Sequence, residues 1–224
     1  MHNSALRSPG WLAITIGMGI LIGVVLYELS FHVFNRTPLL TISAVLIAIG
    51  ALLNPTLVWM LHHNLAGQLL GLRQFIFITG RIGSLIALIG SGFDFLNTIV
   101  GHNLIILYPL SQTQSIIAVG YAFIGIWLLS LNIQARLHDT WSRRLAWWGI
   151  MTGAIMMIAL LAIPKVFIPY VSLYHSLVPE LGELIGNLGW RLFYPAWSIW
   201  FGRVILKGQL GSNICRVSYR DFHR

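Results

Sequence analysis

Charge is scarce in this sequence. Asp, Glu, Lys and Arg make up 9% of its 224 residues, and only 6 residues are acidic. A soluble domain carries about 25% charged residues, so this chain has no means of covering its own surface in water. Cysteine is nearly missing as well. Cys215 is alone, which excludes an internal disulfide and a cysteine-based metal cluster. There is no GxSxG nucleophile elbow, no HxxxH or HExxH pair and no phosphate-cradling glycine loop, so the common motif-based routes to an enzyme are closed. No Ser/Gly linker or low-complexity tract interrupts the chain, and residues 1–224 read as a single domain.

What the sequence does have is apolar residues, 57% of the total, arranged in long runs. A spanning helix needs about 20 of them, because each residue adds about 1.5 Å across a hydrocarbon core of about 30 Å. The runs predict six spans, at about 11–34, 39–61, 74–100, 114–133, 145–168 and 184–206, followed by a tail at 207–224. Membrane strands need only about 9–11 residues of alternating polarity, and that alternation is absent. The expected fold class is therefore all-α: an integral membrane bundle of six transmembrane helices. The first run is too long for a signal-peptide core and has no small-residue cleavage site after it, so it is expected to remain as a helix.

Positive charge sets the expected orientation. With six spans, Arg7, Arg73, Arg136, Arg143, Arg144, Lys207, Arg216, Arg220 and Arg224 share one side, against Arg36 and Lys165 on the other. The positive-inside rule then puts both termini and the tail in the cytoplasm. The net charge of +8 is explained by these helix-end residues, which meet anionic lipid headgroups. No basic stripe interleaved with stacking aromatics exists, so nucleic acid is not an expected partner. Trp11, Trp59, Trp141, Trp147 and Trp148 are placed by position in an inner aromatic belt, and Tyr108, Tyr170, Tyr174 and Trp190 in an outer one. Asn35-Arg36-Thr37 matches a glycosylation sequon, but it abuts the membrane and precedes Pro38, and is read as chance.

Residues 164–183 stand apart. Pro164, Pro169 and Pro179 surround a stretch too apolar for a free loop, so an outer interfacial or re-entrant segment is expected between helices five and six, with the fifth span ending near Pro164. Pro179, Glu180 and Glu183 read as a helix start, and Pro195 as a kink in the last helix. Close helix contacts are expected at Gly19/Gly23, Gly149/Gly153 and Gly182/Gly186. On the third helix Gly80, Ser84, Ala87, Ser91, Asp94 and Thr98 share one face, which should look into the bundle. A three-plus-three inverted repeat fails: Gly80-Arg81 and Gly202-Arg203 echo each other but lie at the same depth.

Charge inside hydrocarbon is costly, about 2.5–3.5 kcal/mol at a helix centre. Arg81 and Arg203 lie near helix ends, where a long side chain reaches the headgroups. Glu28, Asp94 and Arg191 come from three different helices at one depth in the outer half, with His32 and Asn97 on the faces of Glu28 and Asp94. These five residues are the candidate buried polar cluster, in which Asp94 and Arg191 are expected in direct contact. It reads either as an ion pair locking three helices or as a proton or solute site. The histidines split between His32, His102 and His175 outside and His62, His63 and His138 inside, without ligand spacing. Accordingly no catalytic residue, metal ligand or cofactor is expected.

The stretch 71–103, with Arg81 entering a Gly/Ser/Ile-rich helix, resembles a group of bacterial polytopic membrane proteins known only as a domain of unknown function. So do 132–157, where Arg136, Arg143, Arg144 and Trp147-Trp148-Gly149 form a basic turn, and the closing Tyr194-Pro195-Ala196-Trp197 and Trp200-Phe201-Gly202-Arg203. The resemblance implies a helical bundle of the bacterial inner membrane and carries no site residues. The first functional reading is a non-enzymatic structural, accessory or assembly subunit, with membrane lipids, anionic on the cytoplasmic side, and other membrane subunits as partners. The second is a small transporter or channel built on Glu28, Asp94 and Arg191; the third is an intramembrane enzyme acting on lipid.

Overall fold

Inside a bilayer the backbone has no water to bond, so an apolar run can satisfy its N–H and C=O groups only within itself. The computed structural model describes residues 4–32, 37–64, 73–100, 113–167 and 177–208, and all of their regular structure is helical. The helices are α1 (Ser4–Ser30), α2 (Thr37–Asn64), α3 (Arg73–Val100), α4 (Thr113–Leu137), α5 (Arg143–Met157), the short α6 (Ile163–Phe167), α7 (Leu177–Leu188) and α8 (Tyr194–Leu206). A 3-10 turn, Ile158–Ala162, joins α5 to α6, and a π turn, Gly189–Phe193, joins α7 to α8. They make six rods. Five contain stretches long and apolar enough to cross a membrane: Arg7–Ser30, Thr37–His63, Gln74–Ile99, Thr113–Leu137 and Arg143–Ala162.

Two prolines explain how the remaining rod and the fifth one are broken. Pro195 has no N–H and crowds the carbonyl four residues back. The helix absorbs this just before it, where the Tyr194 N–H reaches five residues to the Gly189 carbonyl. The fifth span ends at Ala162, near Pro164 as expected, while helical structure runs on to Phe167. The chain tightens into the 3-10 turn and passes Pro164 in the first turn of α6, where a missing donor costs little. α7 begins as expected, with Pro179 and Glu180 in its first turn. Its outward side chains Leu177, Val178, Leu181, Leu184 and Leu188 are apolar and exposed, whereas Pro179, Gly182 and Gly186 are buried. Tyr170 and Tyr174 lie outside the described residues, as does Tyr108.

Packing follows the small residues. Gly23 lies against Ile47 and the Ser43 carbonyl, Gly153 against the Gly125 carbonyl, and Gly182 and Gly186 against Leu161 and Ala159. On α3, Gly80, Ser84, Ala87 and Ser91 are buried; Gly80 abuts Trp127, and Ala87 meets Gly120 of α4 backbone to backbone. α8 runs antiparallel to α1, since Gly10 faces Gly202, Gly17 faces Pro195, and Glu28 reaches Arg191. α4 is the central helix: 67% of its apolar 18-residue stretch is buried inside the protein, against 28% for that of α1. Apolar stripes such as Met18, Ile22, Val25 and Leu29 on α1 and Ile78, Ile82, Leu85 and Ile89 on α3 face outward, as lipid contact requires.

Arg7, His63, Arg136, Arg143 and Lys207 mark one end of the bundle, called here the basic end. Trp11, Trp59 and Trp147 are exposed there. Trp141 and Trp190 correct the belt assignment, because they are buried to 4% and 1% exposure and serve the interior.

Candidate functional site

The polar groups of the far end gather on the first turn of α4. Thr113, Gln114 and Ser115 open that helix, and each finds a carboxylate. The Thr113 hydroxyl donates to Asp94 Oδ1 at 3.2 Å, and Gln114 Nε2 donates to the same oxygen at 3.4 Å. The Ser115 hydroxyl donates to Glu183 Oε2 at 3.1 Å. Carboxylates suit this place, since unsatisfied N–H groups leave partial positive charge at a helix N-terminus.

Arg191 completes the cluster from the π turn. Its Nη2 donates to Gln114 Oε1 at 2.9 Å, and its Nη1 lies 3.4 Å from Glu28 Oε1. The guanidinium carbon sits 5.1 Å from the Tyr27 ring centre and 5.3 Å from that of Trp190, close enough for cation–π attraction. Arg191 Nε is buried without a hydrogen-bond partner among the described residues.

The direct Asp94–Arg191 contact expected from depth and face is not formed. Gln114 stands between the two, accepting from Arg191 with its carbonyl and donating to Asp94 with its amide. An amide can do both at once, so one neutral side chain couples two opposite charges. Arg191 pairs instead with Glu28, whose side chain is 62% exposed. His32 is exposed just beyond the end of α1, and Asn97 is half-buried one turn beyond Asp94.

Beneath Arg191 an aromatic column fills the axis. Trp190 stacks on Tyr121 at 4.9 Å, and Tyr121 leans on Tyr194 at 5.8 Å. Tyr194 continues to Trp197 at 6.4 Å, Trp197 to Phe201 at 4.7 Å, and Phe201 meets the edge of Trp141 at 5.2 Å. Midway, the Tyr194 hydroxyl donates to Asn54 Oδ1 of α2. At the basic end Trp141 Nε1 donates to Asn132 Oδ1 at 3.2 Å, and Asn132 Nδ2 donates to the Leu128 carbonyl at 2.8 Å. Nearby, the Ser142 hydroxyl caps α5 at the Leu145 N–H.

Other candidates are structural. His62 stacks on Phe77 and His63 on Trp59, while His102 and His175 lie outside the described residues. Among the described residues no three His, Cys, Asp or Glu side chains converge to hold a metal ion. Sequence reading missed Gln114, Asn54, Tyr121 and Asn132. A polar Thr-Gln-Ser turn before an apolar run does signal a helix start, but it names no partner.

The arrangement gathers one ion pair and two hydroxyl–carboxylate hydrogen bonds at this end of the bundle. The chain matches no known protein family, no curated protein and no solved structure, so its description rests on its own geometry: a multi-pass helical membrane protein.

Proposed function

We propose that this protein is a non-enzymatic structural, accessory or assembly subunit of a bacterial inner membrane, with both termini cytoplasmic. The observation that carries the reading is the aromatic column. Its members Trp190, Trp197, Tyr121, Tyr194 and Phe201 are fully buried, so the place where a solute path would run is occupied by rings. What the protein offers a partner is its outer surface. On α3 the outward stripe of Leu85, Ile89, Leu96 and Ile99 includes Gly92, where an added side chain would meet nothing. Such a position lets a neighbouring helix approach closely.

The test is extraction in mild detergent followed by sizing and identification of co-purifying membrane proteins. A defined heteromeric complex, weakened by Gly92→Phe in a variant that still folds, is the expected result. A monomer that moves protons or ions in proteoliposomes would replace this reading with the transporter. That second reading draws on one feature, the π turn and Pro195 that interrupt the last rod beside Arg191. For orientation, reporter fusions after Gly101 and after Asp139 should report opposite sides of the membrane, and the same side for both would sink the assignment.

A further inference from the structure

We propose that α8 and α1 form a binding site for a single anionic phospholipid of the leaflet at the basic end. A groove of about 530 Å³ lies on the outside of the bundle, walled by Leu21 of α1 and by Ala196, Ile199 and Trp200 of α8, with Arg203 and Lys207 at its end. Ala196, Trp200, Arg203 and Lys207 follow one another at three- and four-residue steps, with Ile199 beside them, which puts them on a single helix face. Eleven residues separate Ala196 from Lys207, about 16 Å of helix, roughly half of a hydrocarbon core of about 30 Å. The apolar part is thus as long as one leaflet's acyl layer.

The charge is placed where a headgroup would be. Lys207 caps α8, and Gly208, at φ 65°, turns the chain away immediately after it. Arg203 and Lys207 are exposed one turn apart, and neither meets a carboxylate or an aromatic ring among the described residues. Arg81 lies over Phe77, Arg136 over Trp147, and Arg143 beside Asp139; Arg7 and Arg144 are exposed as well, but neither lines the groove. A guanidinium and an ammonium above an apolar trough complement a phosphate on an acyl chain, the guanidinium by two parallel hydrogen bonds. The inference rests on the membrane reading of the bundle and is independent of whether the protein is a subunit or a transporter.

The full chain, purified in neutral detergent and washed free of lipid, would be offered equal phosphatidylglycerol and phosphatidylcholine, and the lipid retained counted by native mass spectrometry. One phosphatidylglycerol should be kept with a preference of about tenfold or more. The preference should vanish in R203Q/K207Q and survive in R81Q, and millimolar inorganic phosphate should not displace the lipid. Equal retention of both lipids, a preference that survives R203Q/K207Q or falls equally in R81Q, or displacement by phosphate alone would each overturn the site. If R203Q/K207Q does not fold, brominated phosphatidylglycerol decides: it should quench less fluorescence in W200F than in the parent, and unchanged quenching rejects the groove.

Discussion

The two ends of the bundle are closed by different chemistry. At the basic end, Asn132 and Trp141 are neutral and buried, and their hydrogen bond ties α4 to the turn that leads into α5. At the far end, Arg191, Glu28, Gln114 and Asp94 carry charge across three helix interfaces, and the outermost member, Glu28, is mostly exposed. A hydrogen bond stabilises most when its loss strands a group away from water. An ion pair open to water contributes little, because solvent screens it and both side chains lose freedom. The tighter closure is therefore expected at the basic end, where the buried hydrogen-bonded pair is neutral.

Four substitutions would break or sharpen that contrast, each read as stability in detergent against chemical denaturant. The largest loss is expected for Gly149→Leu. A Cβ at Gly149 overlaps the Asn132 amide, so the new side chain must push α4 and α5 apart and dislodge the Asn132–Trp141 bond. Overpacking of this kind costs about 3 kcal/mol, and a loss within error would mean that the basic end is loosely packed. Asn132→Leu comes next. It keeps the volume but leaves the buried Trp141 N–H unpaired, at a cost of about 2 kcal/mol. Pairing this change with Trp141→Phe should recover part of the loss; no recovery would show that the bond does not couple the two residues.

Gln114→Leu follows, with an expected loss of about 1.5 kcal/mol, since hydrogen bonds between membrane helices average well under 2 kcal/mol even when several are removed together. If this variant proves weaker than Asn132→Leu, the order of the two ends is reversed and the charged cluster dominates. Smallest is Glu28→Gln. Its side chain is 62% exposed, so the change should cost less than about 1 kcal/mol and shrink further at high salt. A larger, salt-insensitive loss would mean that Glu28 is shielded in the membrane, and would raise the standing of a proton or solute site.

The difference between the ends also marks how far the chain could be read without its fold. The inward face of α3 was legible: Gly80, Ser84, Ala87 and Ser91 are buried where a 100° step places them, because periodicity is a property of one helix. The glycines at 23, 149, 153, 182 and 186 were legible for a related reason, since the residue that permits close approach announces itself, whereas Gly19 makes no close contact. The depth of Glu28, Asp94 and Arg191 could be counted from the helix ends, but their lateral neighbours could not. Gln114 reads as an ordinary first-turn residue, and only its position between α3 and the π turn makes it the bridge. Trp190 looks like a headgroup anchor by sequence position. Burial against Tyr121 and a 2.7 Å bond to Asn187 make it part of the column instead.

Sequence alone determined that the chain is a membrane bundle of helices, and which stretches of it are apolar enough to cross. Those properties are local: lipid forces each apolar run to bond its own backbone, whatever surrounds it. Tertiary structure decided which polar groups meet, that rings fill the axis, and that the strain of Pro195 is taken up in a π turn. These depend on helices far apart along the chain, as with Glu28 and Arg191, 163 residues apart, or Asn54 and Tyr194, 140 apart. Which of several small or polar neighbours a side chain reaches is set by the register of packed helices, and that register exists only once all six rods are in contact.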